Sequence, residues 1–163
     1  MKKIFKIALI VLASIIGLFT LIVLISINDD TETNIPPVKE ESVVETQSMS
    51  KEEFANKIEQ ILAESYGENN YSTEWNNDLY TVNVWHEGIS EGVAYAKLGN
   101  EELLNTWNIS VVDATCSLST TIKEAASTNG LNIDVNVNVL NDANLDNILL
   151  TVLNGEVLYD VLN

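Results

Sequence analysis

The stretch LNIDVNVNVL, residues 131–140, decides the fold class of this chain. Aliphatic side chains occupy alternate positions, and the residues between them are asparagine or aspartate. Such a period of two indicates a β-strand with one buried and one solvated face. The side chains expected to face a core are Leu131, Ile133, Val135, Val137 and Val139. The side chains expected on the wet face are Asn132, Asp134, Asn136 and Asn138.

The following residues predict two more strands. In ILLTVLNGEVLYDVLN, residues 148–163, the dipeptide Asn154-Gly155 separates two apolar runs. Asn-Gly between apolar runs is the strongest short signal for a β-hairpin, because both turn residues must accept positive φ. The sequence therefore predicts an antiparallel pair here.

The linking stretch NDANLDN has two interpretations. Asp142, Asn144 and Asp146 imitate the alternating ligands of a calcium loop, but such a loop needs glycine at its sixth position and glutamate at its twelfth. Asn147 and Leu153 occupy those positions. Asparagine and aspartate are also favoured in connections, because their side chains bond nearby backbone. We expect a structural connection, with a contact surface or a cation site as the alternatives.

Upstream, the sequence predicts a helix and then a hairpin. Ser50 and Glu53 have capping-box spacing, and Gly67 is a natural helix end. The apolar residues on one face of this helix are Phe54, Ile58, Ile61 and Leu62. In YSTEWNNDLYTVNVWHEG, residues 76–78 supply a turn between two strands. A short helix is expected over residues 89–98.

A long helix is predicted over residues 100–129. Its apolar positions recur at spacings of three and four, which is typical of a helix packed on a sheet. These positions are Leu104, Trp107, Val111, Ala114, Leu118, Ile122 and Ala125. The expected fold class is α+β, with about five mainly antiparallel strands covered by helices on one face.

The chain begins with a predicted membrane anchor. Residues 7–27 contain no charge and would reach about 31 Å as a helix, enough to cross a hydrocarbon core of about 30 Å. Lysines precede this span and acids follow it, so residues 1–28 are expected to place the N-terminus in the cytoplasm and the remainder outside a plasma membrane. Residues 29–49 are expected to form an acidic, flexible stalk, and residues 50–163 an extracellular domain.

Charge restricts the partners of the external part. After residue 28, 24 acidic residues stand against five lysines, a formal charge of −19. Nucleic-acid binders need clustered cations, so we expect no nucleic-acid partner. The absence of arginine together with 20 asparagines favours an AT-rich genome such as that of a low-GC Gram-positive bacterium.

Few residues suggest catalysis. His86 is the only histidine and Cys116 the only cysteine, whereas zinc sites and nucleophilic catalysis need several such groups together. We expect His86 to be hydrogen-bonded or solvated and Cys116 to be a small packing residue. The sequence predicts no enzyme, no cofactor and no metal.

The wet strand face is the candidate partner surface. An open row of polar side chains next to aromatic residues can serve as a docking site. Its predicted members are Asn132, Asp134, Asn136, Asn138, Trp75 and Trp85.

The layout carries a resemblance. The segment MKKIFKIALIVLASIIGLFTLIVLIS followed by a small domain ending in NDANLDNILLTVLNGEVLYD resembles small membrane-anchored surface proteins of Gram-positive bacteria and their prophages. Among these are superinfection-exclusion proteins, which block phage DNA entry by binding an incoming component. The resemblance implies a tethered extracellular module that binds a phage component or a host envelope protein. The alternative is a subunit of a membrane complex, in which Ala13 and Gly17 let another helix approach the span.

Overall fold

The computed structural model describes residues 49–163, which form four α-helices and five strands. The predicted span and the predicted stalk up to residue 48 lie outside the described residues. The helices are α1 (Lys51–Tyr66), α2 (Ile89–Lys97), α3 (Glu101–Trp107) and α4 (Asp113–Thr128). The strands are β1 (Tyr71–Asn76), β2 (Leu79–Val84), β3 (Asp134–Asn141), β4 (Asn144–Leu153) and β5 (Glu156–Asp160). None of the helices within residues 49–163 has the length and apolarity needed to cross a bilayer.

The strands follow their chain order in one sheet, β1-β2-β3-β4-β5. Three neighbouring pairs are antiparallel, and β2 and β3 are parallel. The sheet is therefore mixed, and the α+β class is confirmed. The parallel pair arises because α2, α3 and α4 carry the chain back along the sheet between β2 and β3.

The sheet has two ends, which we call lower and upper. The lower end carries the turns at Asn77–Asp78 and at Asn154–Gly155. The upper end carries the turn at Asp142–Ala143. The described chain begins at the lower end, where Lys51 Nζ donates to the Asn77 carbonyl oxygen at 2.8 Å.

Helices and sheet enclose one core on a single face of the sheet. Alternate residues of β3 that were predicted to be buried are buried, and they pack with apolar residues of all four helices. The fully buried side chains include Leu62, Tyr80, Val82, Ile122, Val135, Val137, Leu150 and Val152. Burying each large apolar side chain in this way stabilises the folded state by roughly 1.5–3 kcal/mol.

The predicted long helix is continuous from α3 to α4 but contains a π-helical segment, Asn108–Val112. Within it the Asp113 N–H donates to the Asn108 carbonyl oxygen, five residues earlier. One extra residue per turn shifts the buried face, so Ser110 and Thr115 are buried. Val111 and Ala114, which were predicted to face the core directly, are only half-buried.

The Asn-Gly turn between β4 and β5 is confirmed. Asn154 and Gly155 both have positive φ, 50° and 87°. The turn also packs on α4, where the buried Ser119 hydroxyl donates to the Val135 carbonyl oxygen at 3.0 Å and accepts from the Gly155 N–H at 3.1 Å. The hairpin is thus fixed to the helix layer as well as to the sheet.

Candidate functional site

The sheet face opposite the helices carries a continuous row of polar side chains. Ser72, Asn83, Asn138 and Thr151 are register partners on four successive strands. Asn83 donates to Ser72 at 3.2 Å, and Asn138 donates to Asn83 at 2.9 Å. Thr151 donates to Asn138 at 3.0 Å. The amides in the middle of the row therefore use their hydrogen-bonding groups on one another.

The four polar residues predicted on the wet face of the strand differ in their exposure. Asn132 and Asp134 are exposed and Asn136 is half-buried, but Asn138 is only 7% exposed. The expectation that Asn138 faces solvent is wrong, because side chains on both neighbouring strands close over it and bond it. The role of the other three as partner contacts stays a prediction.

Trp75 lies on the other face of the sheet. It pairs with Tyr80, whose ring centroid is 4.6 Å away, and it packs against the core. Lys51 Nζ stands 5.1 Å from the centre of the Trp75 ring. Trp75 therefore does not share a surface with Asn136, because the two-residue period of β1 turns it toward the helices.

Trp85 follows the end of β2 and is half-buried. Its backbone N–H donates to the Asn70 carbonyl oxygen at 3.0 Å, which holds the start of the β1–β2 hairpin. Thus the two tryptophans occupy separate parts of the domain.

Two polar atoms near Trp75 are buried without a partner within residues 49–163. They are Trp75 Nε1 and the Tyr80 hydroxyl oxygen. Burial raises the pKa of Tyr80 to about 12, so the phenol stays neutral at physiological pH. The sequence gives no sign that these two atoms lack hydrogen-bond partners, since tryptophan and tyrosine are both common in strands.

Sequence reasoning missed a group of exposed apolar side chains on β4 and β5. Eight large apolar side chains are exposed within residues 49–163, and five of them lie on β4 and β5. These five, which we call the apolar edge, are Leu145, Ile148, Val157, Leu158 and Tyr159. The signal in the sequence is that β5 has no lysine or proline, the residues that usually protect an exposed edge strand.

A cleft lies between α2 and the outer side of β4, and we call it the α2–β4 cleft. Its volume is about 660 Å³. Ser90, Val93, Ala94 and Lys97 line it from α2, at the spacing of one helical face. Asn147 and Ile148 line it from β4.

NDANLDN forms a two-residue hairpin turn rather than a loop. β3 extends to Asn141 and β4 begins at Asn144, so only Asp142 and Ala143 lie outside strands. The Asp142 carboxylate accepts from the Gly88 N–H at 2.6 Å and from the Ser90 N–H at 2.9 Å. Asp142 therefore caps the first turn of α2 from another element, as an anion at a helix N-terminus does.

The electrostatics of Asp142 fit this capping role. Desolvation favours the neutral acid, but hydrogen bonds from the Ser90 side chain and from the Gly88 and Ser90 N–H groups outweigh it. The net effect lowers the pKa of Asp142 below its usual value. Within residues 49–163, no group of three or more His, Cys, Asp or Glu side chains is placed to hold a metal ion.

His86 and Cys116, the two residues considered for catalysis, lie in different elements: His86 follows β2 and Cys116 lies in α4. His86 Nδ1 lies 3.0 Å from the carbonyl oxygen of its neighbour Glu87. Cys116 is half-buried in α4 against the core. Burial, together with the nearby Asp113 carboxylate, raises the pKa of its thiol, which makes the reactive thiolate rarer.

No protein-family model, no curated protein and no solved structure matches this chain. The function of the domain is therefore inferred from its own side chains.

Proposed function

We propose that this protein is a membrane-tethered extracellular module that binds another protein. Its biological role would be phage superinfection exclusion, in which the module binds a phage component and blocks DNA entry. The observation that carries the proposal is the apolar edge. Exposed apolar groups concentrated on two adjacent strands are typical of a protein-binding surface.

The position of the domain on its tether supports this role. The described chain starts at the lower end of the sheet, and the proposed stalk of residues 29–49 would reach roughly 25 Å as a flexible chain. The lower end would then face the membrane. Ile148 and Leu145 lie near the opposite end of β4, beside the Asp142–Ala143 turn.

Capture by cross-linking tests the proposal. The full chain, tagged after Asn163, is cross-linked on living cells with and without phage, and the captured proteins are identified by mass. A phage component captured only on challenge is the expected result. Failure to capture any protein above the level of an untagged control would refute the binding function.

Two variants connect capture to the apolar edge. Leu158, which is 62% exposed on β5, is replaced in Leu158→Glu and should reduce capture at least tenfold. Ile109, which is 54% exposed in the π-helical segment and lies outside β4, β5 and the cleft lining, serves as the control in Ile109→Glu. Equal loss in both variants would show that added negative charge, and not the edge, is responsible.

Replacing the span separates the proposal from the alternative of a membrane-complex subunit. An unrelated span should leave a binding module active, since its contacts lie outside the membrane. A subunit that recognises its partner through Ala13 and Gly17 should lose that partner. Constant capture of one host membrane protein, abolished by the new span, would favour the subunit.

A further inference from the structure

We infer that the α2–β4 cleft binds an extended, positively charged segment of the partner protein, which pairs with β4 as an additional strand. This inference rests on the proposed function, because it names how the partner is held. The occupant would lie in line with β5 and continue the sheet beyond the point where β5 ends.

The outer edge of β4 is unpaired over its first five residues. β5 pairs with β4 only from Leu150 onward, where Leu150 is the register partner of Asp160. One further bond joins the Val161 N–H to the Leu149 carbonyl oxygen at 2.9 Å. No described strand pairs with the outer side of residues 144–148, and all five are exposed. The segment is also irregular toward β3, because Asn141 pairs with Asn144 and Leu140 pairs with Ile148, which leaves residues 145–147 as a bulge with no register partner there.

One face of α2 lies beside this edge of β4. The face of α2 that lines the cleft is formed by Ser90, Val93, Ala94 and Lys97. An added strand of five residues is roughly 17 Å long and places alternate side chains on opposite sides. One set would contact the exposed side chains of Ala94 and Ile148, while the other set would face solvent. A segment with apolar residues at alternate positions therefore fits the cleft.

The anchoring of α2 keeps the cleft open. Asp142 holds the first turn of α2 through the two backbone hydrogen bonds described above. Val93 and Ala96, which are 6% and 8% exposed, pack on the protein side of the helix. The helix is thus fixed at its start and along one side, so the space beside β4 is preformed rather than opened by the occupant.

Charge identifies the class of occupant. Residues 49–163 contain 18 acidic residues and four lysines, a formal charge of −14. A second copy of the domain has the same charge and is repelled. Residues 29–48 carry six acidic residues and one lysine, so the chain's own proposed stalk is repelled as well. Lys97 and Asp146, the charged residues that line the cleft, offset each other. The net charge of the domain therefore attracts a cationic segment from another protein and accelerates its association at low ionic strength.

Selection from a random peptide library tests the inference. The full chain in detergent micelles is presented with displayed linear peptides of ten random residues. We expect the enriched peptides to alternate apolar residues with others and to have a net positive charge. Methylation of every second backbone nitrogen of an enriched peptide should weaken binding at least tenfold, because strand pairing needs those N–H groups.

A pair of bulky substitutions locates the binding. Ala94 is exposed in the cleft, and Ala94→Trp should weaken binding of the enriched peptides at least tenfold. Ser127 is exposed near the end of α4, toward the lower end of the sheet, and Ser127→Trp should leave binding within twofold. Peptides that bind Ala94→Trp as well as the unaltered chain, or a selection without enrichment, would overturn the inference.

Other occupants give distinct results. A dimer of the free chain that Ala94→Trp dissociates would assign the cleft to a second copy. Enriched peptides that reproduce residues 29–48 would assign it to the chain's own stalk. Either result would overturn the inference. If the cross-linked partner is captured equally by the unaltered chain and by Ala94→Trp, the binding function stands and the cleft assignment fails.

Discussion

Gly155 is held in place by two separate requirements. Its φ of 87° lies in the left-handed region. A Cβ at this position would stand 2.2 Å from Thr120 Oγ1 on α4. The turn therefore needs glycine both for its backbone conformation and for its close approach to the helix.

We expect Gly155→Ala to destabilise the domain by about 2 kcal/mol or more. About 1–2 kcal/mol comes from the left-handed conformation, and the remainder from displacing Thr120. Urea unfolding followed by tryptophan fluorescence measures the free energy of unfolding. Gly99→Ala is the matched control, since Gly99 has a φ of 89° and no atom within 4 Å of an added Cβ.

A second variant isolates the contact. In a Thr120→Ala background the oxygen that collides is absent, so Gly155→Ala should cost only as much as Gly99→Ala. An unchanged penalty in that background would mean that backbone strain alone explains the requirement for glycine.

Single polar residues also join distant elements. Trp107 Nε1 donates to the buried Asp160 carboxylate at 3.0 Å, which connects α3 to the end of β5. Asn154 accepts from the Val135 N–H at 2.9 Å through its side chain. Such bonds connect residues that are far apart in sequence, so neither partner could be identified from its neighbours alone.

At the scale of elements, α2 depends on a residue outside it. Gly88 precedes the helix and supplies no side-chain cap, so Asp142 performs that role from the β3–β4 turn. A helix of nine residues has little stability alone. Its attachment to the sheet therefore controls the shape of the α2–β4 cleft.

Acid should weaken this attachment. The pKa of Asp142 is lower in the folded protein than its usual value, so its stabilising effect is present above about pH 4, the unfolded value. The effect is lost as the pH falls through the folded pKa. We expect Asp142→Asn to reduce stability by about 1 kcal/mol at pH 7.

The measurement is urea unfolding of Asp142→Asn and the unaltered chain between pH 7 and pH 3. The two stabilities should converge as the pH falls toward 3. Asp146→Asn serves as the control, since Asp146 is exposed in β4. A stability difference for Asp142→Asn that does not change with pH would contradict the capping role of the charged form.

The π-helical segment behaves as a one-residue insertion. Trp107 and Thr115, both buried, are eight residues apart across it. Seven residues would place them on the same face of a regular α-helix, because seven residues make about two turns. The extra residue is accommodated by the wider turn, with Ile109 exposed at 54%.

Deletion of Ile109 should therefore be tolerated. We expect a regular helix with both buried faces aligned, and a free energy of unfolding within about 1.5 kcal/mol of the unaltered chain. Deletion of Thr120, which is exposed in the regular helix α4, is the control. That deletion turns the preceding helix by about 100° and should unfold the domain. Circular dichroism and urea unfolding measure both outcomes.

At the scale of the whole molecule, charge repulsion opposes folding. A formal charge of −14 on residues 49–163 raises the energy of the compact state. Salt screens this repulsion, with a Debye length of about 10 Å at 0.1 M. We expect the melting temperature to rise by roughly 5 °C between 10 mM and 300 mM sodium chloride, which corresponds to about 1 kcal/mol for a domain of this size.

Sucrose at equal osmolality is the control for solvent effects unrelated to charge, and it should give a smaller rise. A melting temperature that falls with salt would mean that favourable ion pairs outweigh the repulsion. Only three ion pairs join residues 49–163, and all three include a side chain at least 58% exposed. Exposed ion pairs of this kind contribute little to the free energy of unfolding.

Short stretches of sequence were sufficient to predict the local structure of the domain. The Asn154-Gly155 turn and the capped helix from Ser50 appear where they were expected, and the strand expected over residues 131–140 is present but runs from Asp134 to Asn141. The physical reason is that each signal depends on residues within a few positions of one another. The α+β class follows from those elements, because each has one apolar face to bury.

The way in which those elements pack against one another could not be predicted from such stretches. The parallel pairing of β2 with β3, the closure of neighbours over Asn138 and the turning of Trp75 toward the helices depend on strands from distant parts of the chain. The α2–β4 cleft exists because β5 ends before β4 does and because Asp142 fixes a helix 50 or more residues away in sequence. Register and contact across such distances are set by the packing of the whole core, which no short segment encodes.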